Sequence, residues 1–183
     1  MQKFTECLND LVDYFILSDI LVLSEFQAEH NLSEHLEREF TTNESGDQAV
    51  ESGTIIPLSG IENYPYTIYF NTKSEMSIFD ELESELQFRK TGYILQVKSG
   101  ELYLFTMPYL RDWTKGRELL KTNAIRPKIQ LENGWYSVEI SGGETWQEEG
   151  WEPTFEFRLE KRTDKPEYTA DMNFRFTIHS REY

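Results

Sequence analysis

Apolar positions recur with two different periods along this chain. Up to residue 53 the spacing is helical: Phe4, Leu8, Leu11, Val12 and Phe15 share one helical face, with Glu6, Asp10 and Asp13 between them. That predicts an amphipathic helix over residues 3–17. Ile20–Leu23 is a short apolar run whose length suits a strand or a helical turn alike. Leu32, Leu36 and Phe40 mark a second helix, with Asn31 or Ser33 as its cap and acids in its first turn. Residues 41–53 (TTNESGDQAVESG) have two glycines and no apolar period, and read as a loop or mobile connector.

From Thr54 onward the pattern becomes strand-like. TIIPL, YTIYFN, YILQVK, ELYLFTM, KIQLE, WYSVEI, TFEFRLEK and MNFRFTIH are short runs of branched and aromatic residues, several with clear alternation. Ser99-Gly100 and Asn133-Gly134 stand where two-residue hairpin turns would, because such turns need positive φ. Hairpins over 93–107 and 128–140 are therefore expected. Ser77–Leu86 reads as a short helix capped by Ser77, and residues 114–122 as another. The class expected is α+β: an antiparallel, β-rich sandwich or bent sheet with one to three helices, mostly N-terminal. A single domain over 1–183 is expected, with an acidic, partly helical segment 1–53 and a strand-rich part 54–183.

Charge sharpens this division. Residues 1–88 hold 18 Asp and Glu against Lys3, Arg38 and Lys73, whereas residues 89–183 hold 15 acids and 15 bases. The densest stretch, Glu25 to Glu51, sets eight acids against Arg38 alone. Such a block is a solvated face or an electrostatic docking surface. A net charge of −15 opposes binding to a phosphate backbone, so no nucleic-acid partner is expected. The lone cysteine, Cys7, precludes an internal disulfide, and the N-terminus lacks a basic signal-peptide pattern. Tyr14–Leu23, the most apolar run, is short and carries Asp19, so no membrane role is expected and the location expected is cytoplasmic.

No catalytic motif stands out. There is no Gly-x-Ser-x-Gly elbow, no Walker A pattern and no Gly-x-Gly-x-x-Gly. His30 and His35 lie five apart, off one helical face, and no metal or cofactor is implied. Residues 142–153 (GGETWQEEGWEP) read as a long loop placing Trp146 and Trp151 among Glu144, Glu148, Glu149 and Glu152. Tryptophan ringed by acids suits a basic partner, and it also suits a sugar platform. The candidate partner-binding residues are Glu34, Glu37, Glu39, Glu144, Trp146, Glu148, Glu149 and Trp151.

The stretch Tyr93–Met107 followed by Arg126–Ile140 (RPKIQLENGWYSVEI), with Gly134-Trp135-Tyr136 between two strands, resembles the competence-protein-J-type nuclease inhibitors and kindred bacterial immunity proteins. The resemblance implies an acidic cytoplasmic protein that blocks a basic toxin or nuclease by occluding its active site, and it transfers no individual residue role. The function expected is a non-enzymatic acidic binding protein with a basic protein partner. The alternatives are an accessory protein of a larger assembly and a carbohydrate or small-molecule module.

Overall fold

The computed structural model describes residues 1–10, 13–73, 75–81, 83–122, 124–148 and 150–181. Two sheets pack face to face, and a layer of helices covers one of them. The strands are β1 (Gln2–Cys7), β2 (Tyr14–Ser18), β3 (Ile55–Ser59), β4 (Tyr66–Asn71), β5 (Ser84–Val97), β6 (Glu101–Thr106), β7 (Lys128–Gln130), β8 (Gly134–Gln147) and β9 (Gly150–Arg162). The helices are α1 (Ile20–Glu29), α2 (Leu36–Thr42), α3 (Ser45–Glu51), α4 (Ile78–Glu81) and α5 (Trp113–Thr122). One sheet has the order β1-β4-β9-β8-β5 and the other β3-β2-β6-β7. The α+β class is the one expected, with five α-helices among the described residues where one to three were expected. Among the described residues the named strands pair antiparallel except β4 with β9, which run parallel, and a single parallel bridge joins Ser59 of β3 to Arg175.

The four-stranded sheet is buried on both faces, which explains why its strands read as unbroken apolar runs. In β2, Phe15 and Leu17 enter the core between the sheets, while Ile16 packs under the helices with Phe26, Leu36, Val50, Phe105 and Trp113. The five-stranded sheet contributes Ile68, Phe70, Leu95, Val138, Ile140, Phe155 and Phe157 to the shared core. Its other face is largely polar and holds the fully buried Glu156, which accepts from Asn71 Nδ2 at 2.9 Å and from the Ser77 hydroxyl.

Several expectations are corrected. The helix over 3–17 is instead two strands, of which β1 lies at the sheet edge against β4. Glu6 and Asp10 adopt φ of +54° and +57°, which no α-helix accommodates; Leu11 and Val12 lie outside the described residues. Ile20–Leu23 starts a helix, because Asp19 caps it through a 2.7 Å bond from the Leu21 N–H. The second helix is found, capped by His35 rather than by Asn31 or Ser33. Residues 41–53, expected as a loop, contain α3, which buries Ala49 and Val50. The helix expected over Ser77–Leu86 stops at Glu81, because from Ser84 the chain pairs with β8.

The two expected hairpins do not form. β5 pairs with β8, and β6 with β2 and β7, so Ser99-Gly100 and Asn133-Gly134 carry the chain from one sheet to the other and back. The turn chemistry is present, with φ of +78° at Gly100 and +146° at Gly134, but the strand partners lie elsewhere. Buried Asp19 secures this corner by accepting the N–H groups of Lys98 and Ser99, each at 2.7 Å. The 142–153 loop is absent: β8 and β9 form a long hairpin in which Trp146 pairs with Trp151. MNFRFTIH is not a sheet strand. It is a strap that buries Phe176 and Ile178 and bonds both sheets, the Phe176 N–H reaching the Ser59 carbonyl at 2.7 Å and the His179 N–H reaching Gln87 Oε1 at 2.8 Å.

Candidate functional site

The acidic run folds into the helical layer, where its carboxylates divide into two groups. In the first are three of the expected docking residues, each held by donors of its own chain. Glu34 accepts the N–H of Thr114 at 2.9 Å and its hydroxyl at 2.7 Å, which caps the start of α5. Those hydroxyl and N–H bonds hold the Glu34 carboxyl below its ordinary pKa. Glu37 is ion-paired with Arg111 at 2.8 Å. Glu39 accepts the Ser33 hydroxyl at 2.6 Å and the Asn43 amide at 2.9 Å, and the Ser33 bond leads in lowering its pKa. These groups tie helices together before they meet any partner.

The second group stands on α3 and at its start. Glu44, Asp47 and Glu51 are exposed and, among the described residues, their carboxylates have no hydrogen-bond or ion-pair partner. Their spacing of three and four places them on one face of the helix. Glu29, at the end of α1, is exposed and unpartnered as well. A tight corner holds α3 in place: a Cβ on Gly46 would lie 2.4 Å from the Phe40 carbonyl oxygen, so α2 and α3 meet at a distance only glycine permits. Like charges at this spacing weaken a helix slightly. The inward packing of Ala49 and Val50 therefore holds α3 against its own surface charge.

Among the described residues, the strand half offers no cation without an ion pair or a ring contact. All bases beyond residue 88 lie in ion pairs except Lys90 and Lys165, which sit over the rings of Phe174 and Trp135. Some of those pairs lie within the strand half, while Lys98, Arg111, Arg126, Arg175 and Arg181 reach across to Glu25, Glu37, Asp10, Asp13 and Glu85 of the first half. The acids that these bases do not reach, those of α3 among them, carry the surplus negative charge of the first half.

The second expected site, around the tryptophans, is rearranged. Glu144 is not a surface group: it is buried, receives Arg181 Nε at 2.8 Å, and also accepts the Arg181 N–H and the Ser180 hydroxyl. Glu148 is exposed at the hairpin tip, while Glu149 lies outside the described residues. Trp146 is 46% exposed and meets Trp151 edge-on at 5.9 Å. The Arg181 guanidinium lies 3.9 Å from the centre of the Trp151 ring, which takes one face of that ring from any sugar. The Trp146 N–H donates to the Glu83 carbonyl at 2.8 Å, so exposed Glu83 and the hairpin end adjoin, with Asp80 and Glu81 just upstream in the chain. The result is one exposed indole beside an acidic edge.

No protein-family model and no curated protein matches the chain. Among solved structures it is similar to ComJ, inhibitor of the DNA degrading activity of NucA, from Bacillus subtilis, at 11% identity and a TM-score of 0.47, over 88% of this chain and 96% of that one. At that identity and TM-score the likeness carries no residue role across to this chain.

His30 stacks on Phe26 at 4.1 Å, and His35 is spent as a helix cap. Cys7 is buried in the core, where burial pushes its thiol up to about 12 against the opposing pull of Arg126. A thiol in that state is a poor nucleophile. No described helix is long and apolar enough to cross a membrane.

The sequence named Glu44, Asp47 and Glu51 as part of the acidic run but placed them in a loop. Their three-and-four spacing was the available signal, masked by the neighbouring Ser45 and Gly46, which read as turn residues.

Proposed function

We propose that this protein is a non-enzymatic binding protein that captures a basic protein partner, as an immunity protein or an inhibitor of a nuclease or toxin does. The observation that carries the reading is the α3 face, where Glu44, Asp47 and Glu51 are exposed and unpartnered among the described residues while the bases of the strand half are already engaged. A surface of one sign, held on a rigid scaffold, speeds encounter with a partner of the other sign. Trp146 beside Glu148 and Glu83 supplies an aromatic anchor for a second contact. The partner is a cytoplasmic protein with a basic active-site cleft, and the contact occludes it.

The test is retention and release. The immobilised protein is exposed to lysate of the source organism and eluted with stepwise NaCl, beside a variant carrying Glu44→Lys, Asp47→Lys and Glu51→Lys. The reading expects a basic protein in near-stoichiometric amount, released by salt, which the variant captures severalfold more slowly at low salt and almost equally at high salt. Equal capture rates at both salt concentrations would remove α3 from the docking surface. Recovery of no basic protein would count against the reading as a whole.

A further inference from the structure

Between the helical layer and the C-terminal strap lies a cavity of about 180 Å³, walled by core side chains and opening beside the α3 face. Its walls are apolar side chains from four directions: Ile16 and Ile55 from β2 and β3, Val50 from α3, Leu110 from the turn after β6, and Phe176 from the strap. All five are buried, whereas Thr41, Asp47 and Met172 of the same lining are exposed, so these three form the mouth. An engineered apolar cavity of about 150 Å³ accepts benzene, so this volume suits one substituted ring or a branched alkyl group.

The charge at the mouth selects among such ligands. Asp47 is the charged residue of the lining, and Lys, Arg and His are missing from it. Glu51 stands one helical turn beyond Asp47 on the same face. Tyr168, also in the lining, registers the same field: burial leads in pushing its hydroxyl up to about 12, with Glu51, Asp171 and Asp47 adding to it. An anion entering here meets repulsion, and a neutral hydrocarbon leaves Asp47 unused. A cation with an apolar body satisfies both parts of the site.

We propose that this cavity binds a small organic cation, an aromatic or branched-alkyl ammonium compound, with its apolar body among Ile16, Val50, Ile55 and Leu110 and its charge at Asp47. The site shares Asp47 with the docking face but does not rest on the protein-partner reading: it concerns a small molecule and is tested without any partner.

The experiment is a methyl-resolved NMR titration with 2-phenylethylammonium and with 3-phenylpropionate, which share a shape and differ in sign. Saturable shifts of the Ile16, Val50, Ile55 and Leu110 methyls are expected with the ammonium compound, and severalfold weaker binding with the carboxylate. Asp47→Asn lowers the affinity for the ammonium by about two- to fivefold, the scale of an exposed ion pair, and high salt does the same. Thr41→Trp, a change at the exposed mouth that leaves the buried walls intact, abolishes the shifts. The proposal is overturned by any of three results: no saturable methyl shift with either compound, equal affinities for the two, or an ammonium affinity indifferent to Asp47→Asn.

Discussion

Asp19 and Asp47 are both aspartates of the acidic first half, yet their surroundings are opposite. Asp19 is fully buried and accepts three backbone N–H groups, from Leu21, Lys98 and Ser99, joining the start of α1 to the corner where β5 passes to β6. Asp47 projects from α3 into water with no partner among the described residues. Glu156 on the outer face of the five-stranded sheet repeats the first pattern, and Glu44 and Glu51 repeat the second. A buried carboxylate is tolerated only when donors replace its lost water, so its position is dictated by the fold. An exposed one is under no such constraint and remains available for binding.

The contrast is broken most severely at Asp19. Asp19→Ala takes the shared charged acceptor from three N–H groups at a partly buried corner and is expected to cost about 3–5 kcal/mol in urea unfolding. A loss under about 1 kcal/mol would mean that water replaces the carboxylate and that the corner stands without it. Glu156→Ala comes next, at about 2–3 kcal/mol, because Asn71 and Ser77 lose their acceptor; Glu156→Gln keeps one acceptor oxygen and loses less. Glu34→Ala removes a cap from α5 and is expected to cost about 1 kcal/mol. Replacing Glu44, Asp47 and Glu51 together by Gln should leave stability unchanged or raise it slightly, by about 0.2–0.5 kcal/mol per relieved like-charge pair. Marked destabilisation by that triple change would place those groups among the structural carboxylates.

Titration sharpens the same division. Glu34 and Glu39 have folded-state pKa values below the ordinary carboxylate range, held there by hydroxyl donors from Thr114 and Ser33. Their stabilisation is complete above the unfolded-state value and is lost as the pH falls through the folded one. Cys7 has the opposite sign: burial raises it from 9.0 to about 12, so its contribution is complete below the unfolded value and is lost as pH rises toward the folded one. Burial also raises Tyr66 and Tyr103, which strengthens the alkaline loss. A urea midpoint that falls at both extremes of pH is the check. In addition, Cys7 should react with a thiol reagent far more slowly in the native protein than in denaturant.

Much of the strand half was legible because β-pattern and turn chemistry are local. β4, β8 and β9 contain the runs read from sequence, β3 and β6 overlap theirs to within a residue, and glycines at 100 and 134 do take positive φ. Pairing was not legible. A two-residue turn specifies that the chain bends, whereas the choice of partner depends on which strand of matching length lies alongside, and 14-residue β5 finds that match in 14-residue β8. The N-terminal segment failed for a related reason: Phe4 and Phe15 lie on a helical period but belong to strands of different sheets.

The candidate site shows the same boundary. Composition alone determined that the first half is strongly acidic, that the second is neutral and that no internal disulfide can form. Which acids are free was decided by the tertiary structure. Glu34, Glu37 and Glu39 found Thr114, Arg111 and Ser33, and Glu144 was enclosed by Arg181, while the carboxylates of α3 found nothing. Net charge is a sum over residues and survives folding unchanged, but availability depends on the distance to a donor, and residues 80 positions apart in the chain, such as Glu34 and Thr114, set that distance only once the layers have packed.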